Sequence, residues 1–143
     1  MSADSPGSFV DTNILVYAID DDDQVRAPVA RQLVQKLMLT GALRTSTQVL
    51  QELYVVITRK LSRTLTPSQA LRYLDEIAKH PVTTLEYSLV RAAAELSAGH
   101  ALSFWDALVL VAAARSGATR LYSEDMQHER VVLGVEIVNP FKN

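Results

Sequence analysis

An α/β fold, with a parallel sheet and helices on both of its faces, is what the alternation of segments in this 143-residue sequence predicts, while its length and lack of cysteine bound the domain count and the chemistry. Short apolar runs of strand length alternate with longer stretches whose apolar residues recur at helical spacing, the pattern of strands joined by crossover helices. The length suits one domain, which buries roughly 68–70% of the surface its unfolded chain exposes, so a real core is possible. Cysteine is absent, which excludes a disulfide framework, thiolate zinc, iron–sulfur clusters and a cysteine nucleophile. The expected organisation is a disordered N-terminal tail over residues 1–7 and a single domain over residues 8–143.

Residues 8–11 read as a short strand entering FVDTNILVYA. The acids at 20–23, with Pro28 near the first turn, are expected to open a helix on which Val29, Leu33, Val34 and Leu37 are the apolar positions and which Gly41 ends. A strand over residues 43–46 feeds a second helix with a buried stripe of Val49, Leu53, Val56 and Ile57. Thr66 followed by Pro67 is an N-cap with proline at the first helical position. His80-Pro81 stops that helix, VTTL (residues 82–85) is the next strand, and residues 87–98 form another helix. Ser103 then caps a helix that is apolar almost throughout from Trp105 to Ala114 and is therefore expected to be buried, with Gly117 at its C-terminal end. TRLYS and VEIV supply the last two strands.

The formal net charge of −2 is unevenly spread. Residues 1–23 hold six acids and no base, residues 24–91 ten bases and four acids, and residues 92–143 four bases and six acids. Arg26, Arg31, Lys36, Arg44, Arg59, Lys60 and Arg63 could together form a surface that holds phosphates. The run Asp20 to Asp23 reads as a solvated helix N-terminus favoured by the dipole. No apolar run approaches the ~18 residues of a membrane span, and the start lacks the basic and apolar regions of an export signal, so a cytoplasmic location is expected.

In a parallel sheet ligands collect at the carboxyl ends of the strands, near the point where strand order reverses. Asp11 ends the first strand, and Asp125 follows the strand at 120–122, so both face the same sheet edge. Asp106 falls in the first turn of the apolar helix, at its positive end, among Phe104, Trp105, Leu108 and Val109. Glu52 lies beside the stripe of the second helix. Singly, each has an ordinary structural role as a cap, a turn or a helix face. Jointly, carboxylates drawn to one edge repel each other unless a cation neutralises them. Oxygen ligands with no cysteine and no histidine at ligand spacing select Mg²⁺ or Mn²⁺ over zinc; His80, His100 and His128 stand apart and read as structural or solvated. Such a site suits phosphodiester hydrolysis, and no phosphate-binding loop, nucleophile elbow or dinucleotide fingerprint competes with it.

The residues FVDTNILVYA, TSTQVLQELYVV, LSFWDALVLVAAARSGATRLYSEDM and GVEIVNPF, in that order, resemble a PIN-domain ribonuclease of the VapC toxin type from Phe9 to Phe141. The resemblance implies a three-layer α/β/α fold with a central, mainly parallel sheet of about five strands. It implies that Asp11, Glu52, Asp106 and Asp125 are an acidic quartet holding Mg²⁺ or Mn²⁺, and that Thr12, Asn13, Ser46 and Ser123 orient them. It further implies a homodimer, cleavage of RNA leaving a 5′-phosphate, and a cognate antitoxin protein. Three readings compete with a toxin nuclease: a PIN-like module that binds RNA or protein without cutting, a housekeeping nuclease with no antitoxin, and a phosphotransferase using an aspartyl-phosphate on Asp11. The last wants a second acid two residues on, where Asn13 stands. The helices at 49–61 and 71–78 carry apolar residues beyond what covering a sheet needs, a face for an antitoxin or a second copy.

Overall fold

A computed structural model describes residues 6–142. The expected tail at residues 1–7 lies outside the described residues except for Pro6 and Gly7, and Gly7 is already the first residue of a strand. In chain order the elements are β1 (Gly7–Val10), α1 (Thr12–Tyr17), α2 (Arg26–Thr40), β2 (Leu43–Ser46), α3 (Thr47–Arg59), α4 (Pro67–Ile77), β3 (Val82–Thr83), α5 (Tyr87–Gly99), α6 (Phe104–Arg115), β4 (Ala118–Tyr122), β5 (Val131–Val132) and β6 (Val135–Val138).

The sheet has six strands in the order β3-β2-β1-β4-β6-β5, one more than expected. All neighbours are parallel except β5, which pairs antiparallel with β6. The extra strand is two residues long and follows β4 through a turn-rich segment, so no run of alternating residues marked it in the sequence. Every residue of β1 is buried, as a strand covered on both faces and both edges must be. The chain builds outward from β1 to β2 and β3, then returns to lay β4 on the other flank of β1. Strand order therefore reverses between β1 and β4, and a crevice opens at their carboxyl ends.

Local sequence explains most helix ends. Thr66 and Gln69 form a reciprocal capping box ahead of Pro67, Ser46 caps α3 and Ser103 caps α6. Gly41 closes α2 in the left-handed region at φ 75°, where a side chain would be strained. Residues 12–17, to which the sequence assigns no element beyond a possible cap role for Asp11, form the helix α1, and Asp11 caps it. One expectation needs correction. α2 begins at Arg26, not within the acidic run, and its buried positions are Ala27, Ala30, Val34 and Leu37, with Val29 left exposed. Asp23 still serves it, since its side chain accepts from the Val25 and Arg26 backbone N–H groups.

The core forms where α3 and α6 meet the sheet. Val49, Leu53 and Ile57 of α3 are fully buried. Residues 107–113 of α6 are buried without exception, because α5 covers the side of α6 that the sheet does not. That burial starts two residues later than the apolar run suggests: Trp105 is 65% exposed. Among the described residues no helix is long and apolar enough to cross a membrane.

Candidate active site

The crevice between β1 and β4 is furnished by three consecutive residues. Asp11 leaves the end of β1 and its Oδ1 accepts the Thr12 backbone N–H at 2.8 Å, which starts α1. The turn into the helix puts the next two side chains on either side of it. The Thr12 hydroxyl donates to Glu52 Oε2 of α3 at 3.0 Å. Asn13 Nδ2 donates to Asp125 Oδ2 on the segment after β4. Ser123, buried at the end of β4, donates its hydroxyl to Asp11 Oδ2 at 2.9 Å and accepts the backbone N–H of Asp125 at 3.3 Å. Asp11, Glu52 and Asp125 are thus each held by a neutral donor, with Glu52 and Asp125 near enough to Asp11 for their charges to act on it.

The electrostatics of Asp11 follow from this placement. Burial is the largest influence and raises its pKa from 3.8 to about 6. The hydrogen bonds from Thr12 and Ser123 pull it back, and the nearby charges of Glu52 and Asp125 push it up again. An anion in that position is in want of positive charge.

Asp106 is placed differently. Its backbone N–H donates to Ser103 Oγ at 3.0 Å, as the capping pattern requires, but its carboxylate has no hydrogen-bond partner among the described residues. The helix it opens ends at Arg115, and Ser116 and Gly117 lead directly into the start of β4. The C-terminal end of α6 therefore lies at the amino edge of the sheet and its first turn at the carboxyl edge, the edge where Asp11 sits. Phe104 and Trp105 do not enclose Asp106 as the apolar run had suggested, since Trp105 is mostly in solvent. Among the described residues no group of three or more acidic or histidine side chains closes tightly enough to hold a metal ion as the side chains stand. The donor chemistry nevertheless fits a hard cation, being oxygen throughout, and the carboxylates that would have to adjust most, Glu52 and Asp125, are exposed.

Of the four polar residues expected to orient the acids, Thr12, Asn13 and Ser123 contact one directly. Ser46 does not: its hydroxyl accepts the Val49 N–H at 3.3 Å and so fixes the start of α3, the helix that carries Glu52. Gln48 went unnoticed. It is buried one turn before Glu52 and its Nε2 donates to Glu52 Oε1 at 3.2 Å, a contact that the i, i+4 spacing could have suggested.

The basic surface is smaller than the sequence implies. Arg26 pairs with Glu124 and, at 3.0 Å, with Asp23; Arg31 pairs with Asp21 at 2.7 Å; Arg44 donates to the carbonyls of Gly41 and Leu43. Lys36, Arg59, Lys60 and Arg63 have no ion pair among the described residues. Lys60 closes a groove of about 430 Å³, walled by Val55 and Val56, that opens against Thr12, Asn13 and Glu52. The acidic run is also mostly engaged, Asp22 accepting the Ser62 hydroxyl and Asp23 holding Arg26. The histidines take no part in the site: His128 Nδ1 accepts the Asn139 N–H at 2.9 Å, and His100 Nδ1 lies 3.1 Å from the Leu96 carbonyl at the end of α5.

A second cluster steadies the segment that carries Asp125. Glu124 accepts the Tyr17 hydroxyl at 2.7 Å and the Arg26 guanidinium. The guanidinium lies 5.4 Å from the centre of the Phe141 ring, which meets Tyr17 edge-on at 5.4 Å. Burial and the bond to Glu124 push the Tyr17 phenol up to about 12.

The family model for the PIN domain matches residues 8–132, which covers the described sheet through β5 and all four acids. The chain belongs to the PIN-domain family. Two solved structures share its fold. VapC20 of Mycobacterium tuberculosis, described as a sarcin-ricin loop cleaving toxin, aligns at a TM-score of 0.60 with 22% identity, over 83% of this chain and 90% of its own. A chain of VapBC2 from Rickettsia felis, determined bound to a DNA fragment from their promoter, aligns at 0.60 with 19% identity, over 91% of this chain and 96% of its own. No curated protein matches this PIN domain in sequence.

Proposed function

We propose that this PIN domain is a Mg²⁺- or Mn²⁺-dependent endoribonuclease that hydrolyses RNA phosphodiester bonds in the cytoplasm as the toxin of a toxin–antitoxin pair. The observation that carries the reading is the run Asp11-Thr12-Asn13 at the switch point of the sheet, which supplies one acid and holds two more by hydrogen bonds. Asp11, Glu52, Asp106 and Asp125 are the residues that would hold the cation. When bound, a divalent cation lowers the pKa of a coordinated water and offsets charge gathering on the phosphate. The protein's share is orientation: Ser123 and the Thr12 N–H aim Asp11, the Thr12 hydroxyl and Gln48 aim Glu52, and Asn13 aims Asp125. Family membership and the description of the VapC20 neighbour as a sarcin-ricin loop cleaving toxin support the reading. A cognate antitoxin and a homodimer belong to it; Val55 on α3 and Leu71 on α4, 42% and 53% exposed, are apolar residues that such a partner would cover.

The protein freed of any antitoxin should cut structured RNA in Mg²⁺ or Mn²⁺ and stop in EDTA. Asp11→Asn or Asp106→Asn with full activity would remove those residues from the site. That no three acidic or histidine side chains among the described residues close on one another is the one observation that favours a module which binds RNA without cutting. Under that second reading RNA would be retained on a filter but recovered intact at any metal concentration.

A further inference from the structure

α6 is buried at every position from 107 to 113, yet its second residue, Trp105, is 65% exposed, and it is the only tryptophan in the chain. The ring does not hang free. It meets Phe104 edge-on at 5.4 Å with an interplanar angle of 69°, and Phe104 is packed against the core, so one edge of the indole is anchored while most of it faces water. Its chain neighbour is Asp106, and the first turn of α6 lies at the carboxyl edge of the sheet with Asp11.

We propose that Trp105 is the platform on which an unpaired base of the RNA substrate stacks, beside the acidic site; the proposal rests on the nuclease reading above. The acids that would hold a cation repel phosphate until that cation is present; Arg26 is already neutralised by Glu124 and Asp23, which leaves Lys60, in the groove against Thr12, Asn13 and Glu52, as a base with no ion pair among the described residues. Positive charge beside the site is therefore scarce, and a contact that does not depend on charge adds a hold on the base itself that Lys60 does not give. Stacking supplies one, because every base has a π face. The surroundings favour a base over a protein partner. Ser103, exposed, and Asp106, half-buried, flank the Phe104–Trp105 pair along the chain, so the exposed indole is bordered there by polar residues, unlike the contiguous apolar area on which protein partners dock. Bases inside a duplex are already stacked on each other, so the platform selects single strands, loops and splayed-out nucleotides.

Because Trp105 is the only tryptophan, its emission reports on this ring alone. In EDTA, a short single-stranded RNA of mixed sequence should quench it saturably, while the same RNA annealed to its complement, or an abasic strand of equal length, should quench it far less. Trp105→Ala should melt like the parent protein and bind the single strand roughly five-fold or more weakly. Trp105→Phe should recover part of the loss, and Leu39→Ala, which trims another exposed apolar side chain on α2, should bind normally. The platform is overturned if an RNA that the protein cuts in Mg²⁺ leaves the emission unchanged and binds Trp105→Ala as tightly as the parent, a result that leaves the nuclease reading standing. It is equally overturned if emission shifts to the blue with protein concentration alone, which assigns the face to a second copy. If no RNA is bound or cut at all, the nuclease reading falls and the platform with it.

Discussion

Replacing Asp11 with asparagine should make the metal-free protein more stable while abolishing cleavage. Raising a carboxyl from 3.8 to about 6 penalises the folded, ionised state by about 3 kcal/mol at 1.36 kcal/mol per pKa unit. Compact structure in the unfolded chain reduces this, so a gain of about 1–3 kcal/mol is expected at pH 8. Asparagine keeps the local bonds: its Oδ1 can accept the Thr12 N–H as an N-cap, and its Nδ2 can donate to the Ser123 hydroxyl oxygen. For a chain of this size the gain corresponds to roughly 3–10 °C in melting temperature. The pH dependence has a definite sign. The unfolded carboxyl ionises near 3.8 and the folded one near 6, so the wild type loses stability as pH rises between those values, and the loss is complete above pH 7. Asparagine does not titrate, so the difference between the two proteins should open between pH 4 and pH 6 and stay constant above 7. Urea denaturation in EDTA at pH 4, 5, 6 and 8 measures it. A variant no more stable than wild type at pH 8, or equally favoured at pH 4, would refute the claim that Asp11 is held at an electrostatic cost.

Other perturbations separate the scaffold from the site. Mg²⁺ should raise the melting temperature of the wild type by binding the folded state alone, and should do so much less for Asp11→Asn, as read by thermal shift against metal concentration. Ser123→Ala removes a bond that favours the ionised Asp11, so the acid limb of the pH–activity profile should move to higher pH, with about 1 kcal/mol lost from stability. Thr66→Ala breaks the capping box of α4 and should cost about 1 kcal/mol in chemical denaturation without changing the cleavage rate. Leu110→Ala, in the fully buried part of α6, should cost about 2–5 kcal/mol and lower the yield of folded protein.

What could be read from the chain was whatever local chemistry dictates. Ser46, Thr66-Pro67, Ser103 and Gly41 mark helix ends because the groups they satisfy lie within a few residues, and the structure uses them that way. Asp11 and Asp125 share a sheet edge because strand direction alone puts them there. α1 was legible only as a possible cap at Asp11, because six residues rich in β-branched side chains do not themselves mark a helix, and it is the bond from the Thr12 N–H to Asp11 that turns the chain. Trp105 was misplaced because an unbroken apolar run carries no sign of where its cover begins. The cluster of Tyr17, Arg26, Glu124 and Phe141 joins residues about a hundred positions apart, and no local pattern encodes such a meeting. The same distance hid the neutralisation of Arg26, so the basic block looked broader than it is.

The Phe141 ring, wedged between Tyr17 and Arg26, also decides which way the two ends of the domain face. β1 enters from the amino edge of the sheet, whereas β6 runs parallel to β4 and delivers the chain to the carboxyl edge, where Phe141 is pinned against the helix that follows Asp11. The chain ahead of β1 therefore enters at the sheet edge opposite the crevice. A fusion partner or affinity tag joined after residue 142 would stand over the mouth of the crevice, and a recombinant form built that way could be inert for reasons of access alone.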